Sequence, residues 1–130
     1  AMPSRAGIIS TPEAAAAVGP YNQAVRMQNG TVYLSGCIGL RAGNSGEFAG
    51  PTIQEQTRQC LANMDAIAKA AGATSIVKTT ILLDDMADFA VVNELYKEYF
   101  GDRPVPARSC FAAKSLPKGA LVEIEAIAVV

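Results

Sequence analysis

The 130-residue chain contains no histidine. That absence removes Ser-His-Asp and Cys-His nucleophile schemes and the usual histidine-rich metal sites. Any chemistry must run on carboxylates, hydroxyls, thiols, Arg, Lys or backbone groups. Cysteine is scarce as well. Cys37, Cys60 and Cys110 are an odd number at wide spacing, which fits neither a disulfide framework nor a zinc site. They read as free thiols of a reducing compartment, most simply the cytoplasm, with a mitochondrion as the alternative. Charge is neither abundant nor clustered: 11 basic and 12 acidic residues leave a net charge of -1. Phosphate binding needs concentrated positive charge, so no nucleic-acid partner is expected. There is no polybasic patch for a membrane surface, and no run approaches the roughly 20 apolar residues that cross a bilayer. The start, Ala1-Met2-Pro3-Ser4-Arg5-Ala6, has no apolar stretch of signal-peptide type. Ala1 before Met2 reads as a cloning remnant, and residues 1–5 as a flexible N-terminus.

Half of the chain is hydrophobic, enough for one cored domain over residues 1–130. A domain this small buries a modest share of its surface alone, which favours self-association. Two helices are signalled. The first spans Ile53 to Ala71: Thr52 and Glu55 form a capping box, Gly72 is the stop, and Cys60, Leu61, Met64, Ile67 and Ala68 share one face. The second spans Ala87 to Phe100, with Asp85 as N-cap, Gly101 as stop, and Phe89, Val92, Leu95, Tyr96, Tyr99 and Phe100 on its apolar side. Strands are expected over Gln23–Gln28 and Thr31–Ser35 around an Asn29-Gly30 turn, over Val77–Leu83, and over Arg108–Ala112 and Leu121–Val129 around Pro117-Lys118-Gly119. Arg41 to Pro51 reads as a surface loop. The order is βββαβαββ, a mixed sheet with both helices on one face, hence an α+β domain. The last strand carries apolar residues on both alternations, including Ile127 and Val129. The uncovered face therefore predicts a closed homo-oligomer.

Several residues could carry chemistry, and each has a plainer alternative. Arg108 follows Pro106-Ala107 and opens a strand. It is either a surface ion pair or a planar fork that grips a carboxylate. Glu123 and Glu125 share one face of an apolar strand. They are a solvated edge, or one of them is partly buried, with a raised pKa suited to positioning a water. Tyr21, in the turn Gly19-Pro20-Tyr21-Asn22-Gln23, either packs or closes a pocket wall. Ser35 is a strand-end hydroxyl or a pocket group, and Gly36 permits close approach of a ligand. Asn93 is an exposed helix position or a site residue. Cys110 lacks a histidine to activate it and reads as a small core residue whose backbone N–H matters more than its sulfur.

Four ordered motifs tie these residues together: Gly19-Pro20-Tyr21-Asn22-Gln23-Ala24, Val32-Tyr33-Leu34-Ser35-Gly36, Pro106-Ala107-Arg108-Ser109-Cys110, and Val122-Glu123-Ile124-Glu125-Ala126-Ile127-Ala128. With Gln56–Asn63 and Val92–Tyr96 they resemble the Rid family, the RidA-type enamine/imine deaminases, from Ile8 to Val129. The resemblance implies a chorismate-mutase-like α+β fold and a homotrimer with active sites in its subunit clefts. It implies cofactor-free hydrolysis of 2-aminoacrylate and related 2-imino acids to 2-keto acids and ammonia. By family likeness Arg108 would bind the substrate carboxylate with help from the Cys110 N–H, and Glu123, facing the same cleft, would orient the attacking water. Tyr21, Ser35, Gly36 and Asn93 would line the pocket. Cys37 stands where the family commonly has Gln, and Asn22 where it has Ser or Val, and both bear on pocket shape. The rival readings are a non-catalytic module for 2-keto acids or other small carboxylates, a translation-inhibiting ribonuclease, and a chaperone-like holding surface.

Overall fold

The computed structural model describes residues 7–130. The stretch 1–5, expected to be flexible, lies outside them. In chain order the elements are β1 (Gly7–Ile9), β2 (Ala24–Arg26), β3 (Thr31–Ile38), α1 (Ile53–Ala70), β4 (Ser75–Leu83), α2 (Phe89–Phe100), β5 (Ala107–Ala112) and β6 (Val122–Val129). The six strands form one sheet in the order β1-β2-β3-β6-β4-β5. All neighbours are antiparallel except β4 and β5. A parallel pair needs a crossover, and α2 is that crossover. The order βββαβαββ and the α+β class are therefore as the sequence predicts.

Local chemistry explains the boundaries. Thr52 and Glu55 make the capping box that starts α1. Asp85 does cap, accepting from the Ala87 N–H at 2.8 Å, but what it starts is a single 3-10 turn over Met86–Asp88. Thus α2 begins at Phe89, two residues later than expected. β2 is shorter than the expected Gln23–Gln28. At one end the Gln23 side chain binds the backbone of Thr11 and Ala15. At the other the Gly30 N–H turns back to the Met27 carbonyl, with Gly30 at φ +90°, a region open to glycine.

Side-chain alternation sorts the sheet into two faces. Val32, Leu34 and Cys37 of β3, Thr79, Ile81 and Leu83 of β4, and Val122, Ile124, Ala126 and Ala128 of β6 are buried. They meet Cys60, Met64 and Ile67 of α1 and Val92, Tyr96 and Phe100 of α2 in one core. The step from Leu34 to Cys37 is three residues because the β3–β6 register shifts between them. This bulge pushes Ser35 and Gly36 out of the ladder, as bulges near functional sites do. The other face carries Tyr33, Lys78, Thr80, Glu123, Glu125 and Ile127; near its Glu123 end Ile38 and Leu82 pack against Leu116, Ala120 and Phe48 in a second small cluster, and among the described residues no helix lies over the rest. Tyr33 and Phe111 are each 52% exposed there.

Candidate functional site

Arg108 lies on β5, the edge strand, in register with Thr79. Thr79 faces the helices, so Arg108 does too, and it meets α2. Its Nη1 donates to Asn93 Oδ1 at 2.7 Å. Its guanidinium carbon sits 5.1 Å from the Tyr96 ring centre and 5.7 Å from that of Phe89, within cation–π range. Tyr96 is itself fixed, because its hydroxyl and that of buried Thr79 are 2.7 Å apart. Phe89, Asn93 and Tyr96 recur at four and three residues, so one face of α2 makes the whole cradle. The ion pairs found among the described residues, Arg41–Glu47 and Lys69–Asp65, lie elsewhere. Arg108 is thus not the surface ion pair of the plainer reading. It is exposed, and Asn93 engages one of its five N–H donors. Cys110, two residues on, is half-buried. Burial pushes its thiol pKa up while Arg108 pulls it down, with burial the larger effect. A protonated thiol is a poor nucleophile.

Glu123 occupies a different place. On β6 it is opposite Ile38 and beside Leu82. Its carboxyl lies across the bulge at Gly36, and a methyl group at Gly36 would stand 2.8 Å from the Glu123 Cδ. Any side chain there would make the flexible end of Glu123 shift. Burial raises the Glu123 pKa above the usual glutamate range, and the charge of Glu125, two residues along the same face, raises it further. Ser35 donates its hydroxyl proton to the Asn22 carbonyl at 2.6 Å, which keeps its lone pairs as acceptors only. The Tyr21 hydroxyl accepts from the Val18 N–H at 3.1 Å, so the ring is held above the turn. Tyr21, Ser35 and Gly36 line one cavity, with Cys37 deeper in it. Cys37 is no thiolate: burial, and then the Glu123 charge, push its pKa up to about 12.

The residues thus form two clusters. Arg108, Asn93 and Cys110 stand together on the helix side of the sheet edge. Glu123, Gly36, Ser35 and Tyr21 stand together around the β3 bulge. The expectation that Glu123 faces the same cleft as Arg108 does not hold within one chain. Their register partners on β4, Leu82 and Thr79, are three residues apart, and an odd separation along a strand means opposite faces. Sequence reasoning also missed Phe89, Tyr96 and Thr79 as supports of Arg108. The signal was present, since the helical spacing puts Asn93 among those aromatics. No group of residues able to hold a metal ion occurs among the described residues. No helix there is long and apolar enough to cross a membrane.

Fold and site define a small α+β protein that presents an uncommitted arginine at a sheet edge and a half-buried glutamate on the open face. Residues 11–130 match the model of the Endoribonuclease L-PSP family, and the chain belongs to that family, to which its Rid resemblance also points. It is 49% identical over 123 residues to Reactive Intermediate Deaminase A, chloroplastic, of Arabidopsis thaliana, covering 93% of this chain and 64% of that protein. It thus spans just under two thirds of that relative's length. It is 48% identical over 124 residues to the mouse 2-iminobutanoate/2-iminopropanoate deaminase, covering 94% of this chain and 90% of that one. Among solved structures, Escherichia coli TdcF with bound serine superposes with a TM-score of 0.88 at 41% identity, over 95% of this chain and 98% of that one.

Proposed function

We propose that the protein hydrolyses 2-aminoacrylate and related 2-imino acids to 2-keto acids and ammonia, with Arg108 as the carboxylate anchor and Glu123 as the group that handles water. The observation that carries this reading is the cradled guanidinium of Arg108, fixed by Asn93, Tyr96 and Phe89 yet paired with no carboxylate. Relatives named as imine deaminases support it, as does a bound amino acid in a solved relative. An imine carbon is already electrophilic, so orientation beside a positioned water is the main requirement. 2-Aminoacrylate, an enamine, first takes a proton at its terminal carbon and gives one up from nitrogen, becoming 2-iminopropanoate; water then adds to the imine carbon, its proton passing through the Glu123 carboxylate to nitrogen. The resulting carbinolamine gives its hydroxyl proton to nitrogen as the C–N bond breaks. Ammonia and a 2-keto acid leave. A raised pKa suits Glu123 to both taking and returning the proton. The Cys110 N–H would assist at the carboxylate, and Tyr21, Ser35, Gly36 and Asn93 would line the pocket.

The two clusters become one site when the β5 edge of one copy meets the open face of the next. That is a head-to-tail contact, and three copies close it into a ring. The half-exposed Tyr33 and Phe111 and the apolar Ile127 and Val129 favour a homotrimer of this kind. The reading includes the cytoplasm or a mitochondrion as location, which the three free thiols support. RNA cleavage, which the family's description names, is disfavoured by the net charge of -1.

The experiment generates imines with an amino-acid oxidase or threonine dehydratase and follows their loss. Wild type accelerates it, and Arg108→Ala lowers kcat/KM by roughly 100- to 1,000-fold, as truncating one side of a charge pair does. Failure of wild type to accelerate imine loss, or an undiminished rate in the variant, overturns the reading. Glu123→Gln separates the non-catalytic module, because 2-keto acid binding survives while turnover falls.

A further inference from the structure

Imine hydrolysis as proposed needs nothing from α1, yet three buried side chains with hydrogen-bonding atoms stand on one face of that helix. Gln56, Cys60 and Asn63 recur at four and three residues, and all three are buried. Each reaches backbone beside Glu123. Gln56 Oε1 accepts from the Leu121 N–H at 2.9 Å, two residues before Glu123. Cys60 Sγ donates to the Val122 carbonyl at 3.6 Å, one residue before it. Asn63 Nδ2 donates to the carbonyl of Ile38, the residue paired with Glu123 between β3 and β6. We propose that Gln56 is a positioning residue for the hydrolysis, holding the Glu123 carboxyl in place through the two chain segments that wall it. The inference rests on the deaminase reading, in which Glu123 handles the water.

Three observations carry it. First, what Gln56 joins: its Nε2 donates to the Gly50 carbonyl at 3.2 Å, so one amide links the loop after β3 to the start of β6. That loop, residues 39–51, supplies Leu40 and Phe48 to the small cluster around Ile38 and Leu82, and the connection 113–121 supplies Leu116 and Ala120. Ile38 and Leu82 are the register partners of Glu123 on either side. The apolar walls of the carboxyl thus belong to the segments that Gln56 ties. Second, burial: Gln56 is 4% exposed, so water does not replace either bond once the amide is gone, and an unmade buried bond is costly. A methyl at Gly39 would stand 2.7 Å from the Gln56 Cα, so the chain leaving β3 lies directly on the turn of α1 that carries Gln56. Another tie between the same segments, from Lys118 Nζ to the Gly46 carbonyl at 2.9 Å, is exposed and exchanges with water. Third, separation: Gln56 borders neither the cavity of Tyr21, Ser35 and Gly36 nor the cradle of Arg108. Asn63 does border that cavity, which leaves Gln56 as the amide that acts on Glu123 alone. Among the described residues, the titratable groups that interact with Glu123 are Glu125 on its own strand, Cys37 on β3 and Cys60 on α1. Gln56 adds no charge to that set and acts through geometry and access of water.

The test compares wild type with Gln56→Met, which keeps the length of the side chain and loses both bonds, and with Leu61→Val, which loosens the packing of α1 and leaves those bonds in place. Three readouts are taken: kcat and KM on an imine made by amino-acid oxidase, calorimetric binding of pyruvate, and titration of the Glu123 carboxyl by carbon-13 NMR, assigned with Glu123→Gln. In Gln56→Met, kcat falls by roughly tenfold or more, towards the 100-fold that a misplacement of about 1 Å can cost. KM and pyruvate binding stay within about twofold, because the Arg108 cluster is a distant, independent site. With its walls loosened the carboxyl gains water, so Glu123 titrates at lower pH and the acid limb of kcat/KM moves with it. Leu61→Val lowers Tm and leaves kcat and the titration as in wild type. A folded Gln56→Met with wild-type kcat and wild-type titration overturns the proposal, and so does a Leu61→Val that moves both by as much. If Gln56→Met does not fold, Gln56→Asn, whose amide is too short to span both partners, is read in the same way. If wild type hydrolyses no imine, the deaminase reading falls and the titration still decides: a lower value in the Gln56 variant keeps Gln56 as the residue that holds Glu123, and an unchanged one removes it.

Discussion

The two halves of the candidate site are built on opposite plans. The Arg108 half is made of side chains: an exposed cation on an edge strand, held by an amide and two rings from one helix face. The Glu123 half is made of backbone: a bulge, a turn, and a glycine whose missing side chain makes room for a carboxyl. The first stands exposed to water. The second draws its charge in, and its pKa rises. An anchor needs a permanent charge, whereas a proton carrier needs one that comes and goes. The difference in construction suits the two tasks proposed for Arg108 and Glu123.

The largest effect expected from this contrast is complementation. If the halves come from different subunits of the proposed ring, Arg108→Ala and Glu123→Gln each remove every site in their own assembly. Mixed one to one, unfolded together and refolded, they form hybrid interfaces. A site works when Arg108 comes from one parent and Glu123 from the other, with random chance one half times one half, so about a quarter of the wild-type sites should reappear in a closed ring. Activity measured after mixing gives the answer. No recovery, with hybrids confirmed by mass, means both groups act from one chain and breaks the comparison.

That division was only partly legible in the sequence. The α1 boundaries followed from Thr52, Glu55 and Gly72, and the faces of β6 from its alternation, because both signals are local. The bulge at Ser35–Gly36 was hidden, since it exists only in the register of β3 against β6. The side to which Arg108 points was hidden too. It depends on parallel pairing with β4, which residues 107–112 do not encode by themselves. Glu123 and Glu125 sharing a face needed only a period of two. Which face that is, relative to Arg108, needed the whole sheet.

A smaller effect tests the backbone-built half. Gly36→Ala places a methyl against the Glu123 carboxyl. Gly36 is not among the glycines with positive φ, so alanine meets no backbone strain there, and the group in its way is the end of a flexible side chain. The fold survives with a Tm close to wild type while kcat falls, on the order of 100-fold for a displacement of about 1 Å. Equal loss of Tm and activity would make Gly36 a packing residue only.

The side-chain-built half gives a milder response. Asn93→Ala removes one hydrogen bond to Arg108 and leaves the two rings. A net loss of about 1 kcal/mol corresponds to a KM about five times higher, with kcat and its pH profile unchanged. Asn93→Asp pairs the guanidinium with a carboxylate of its own and competes with substrate, so it should raise KM more than alanine does. An asparagine that serves only the fold of α2 predicts no such order.

The smallest effect, and the most specific to the acidic half, is a shift of pH profile. If Glu123 handles the water as proposed, turnover needs it ionised to accept a proton, so kcat/KM should fall as pH drops through its raised pKa. Burial is the larger cause of the rise and Glu125 the smaller. Glu125→Gln removes the repulsion, lets the carboxylate form more readily, and moves the acid limb to lower pH without restoring the ordinary glutamate value. Glu125 is exposed, so the shift shrinks as salt rises. Stability carries the matching sign. A carboxyl whose pKa is higher folded than unfolded stabilises the fold fully below the unfolded value, and that contribution is lost as pH rises through the folded one. Glu123→Gln, which never ionises, keeps it. Its Tm should therefore exceed that of wild type above the folded pKa and converge with it at acid pH. A wild-type acid limb that Glu125→Gln leaves in place, together with a Glu123→Gln Tm that tracks wild type at every pH, would mean that Glu123 titrates as an ordinary surface glutamate, and the contrast between the two halves would lose its electrostatic basis.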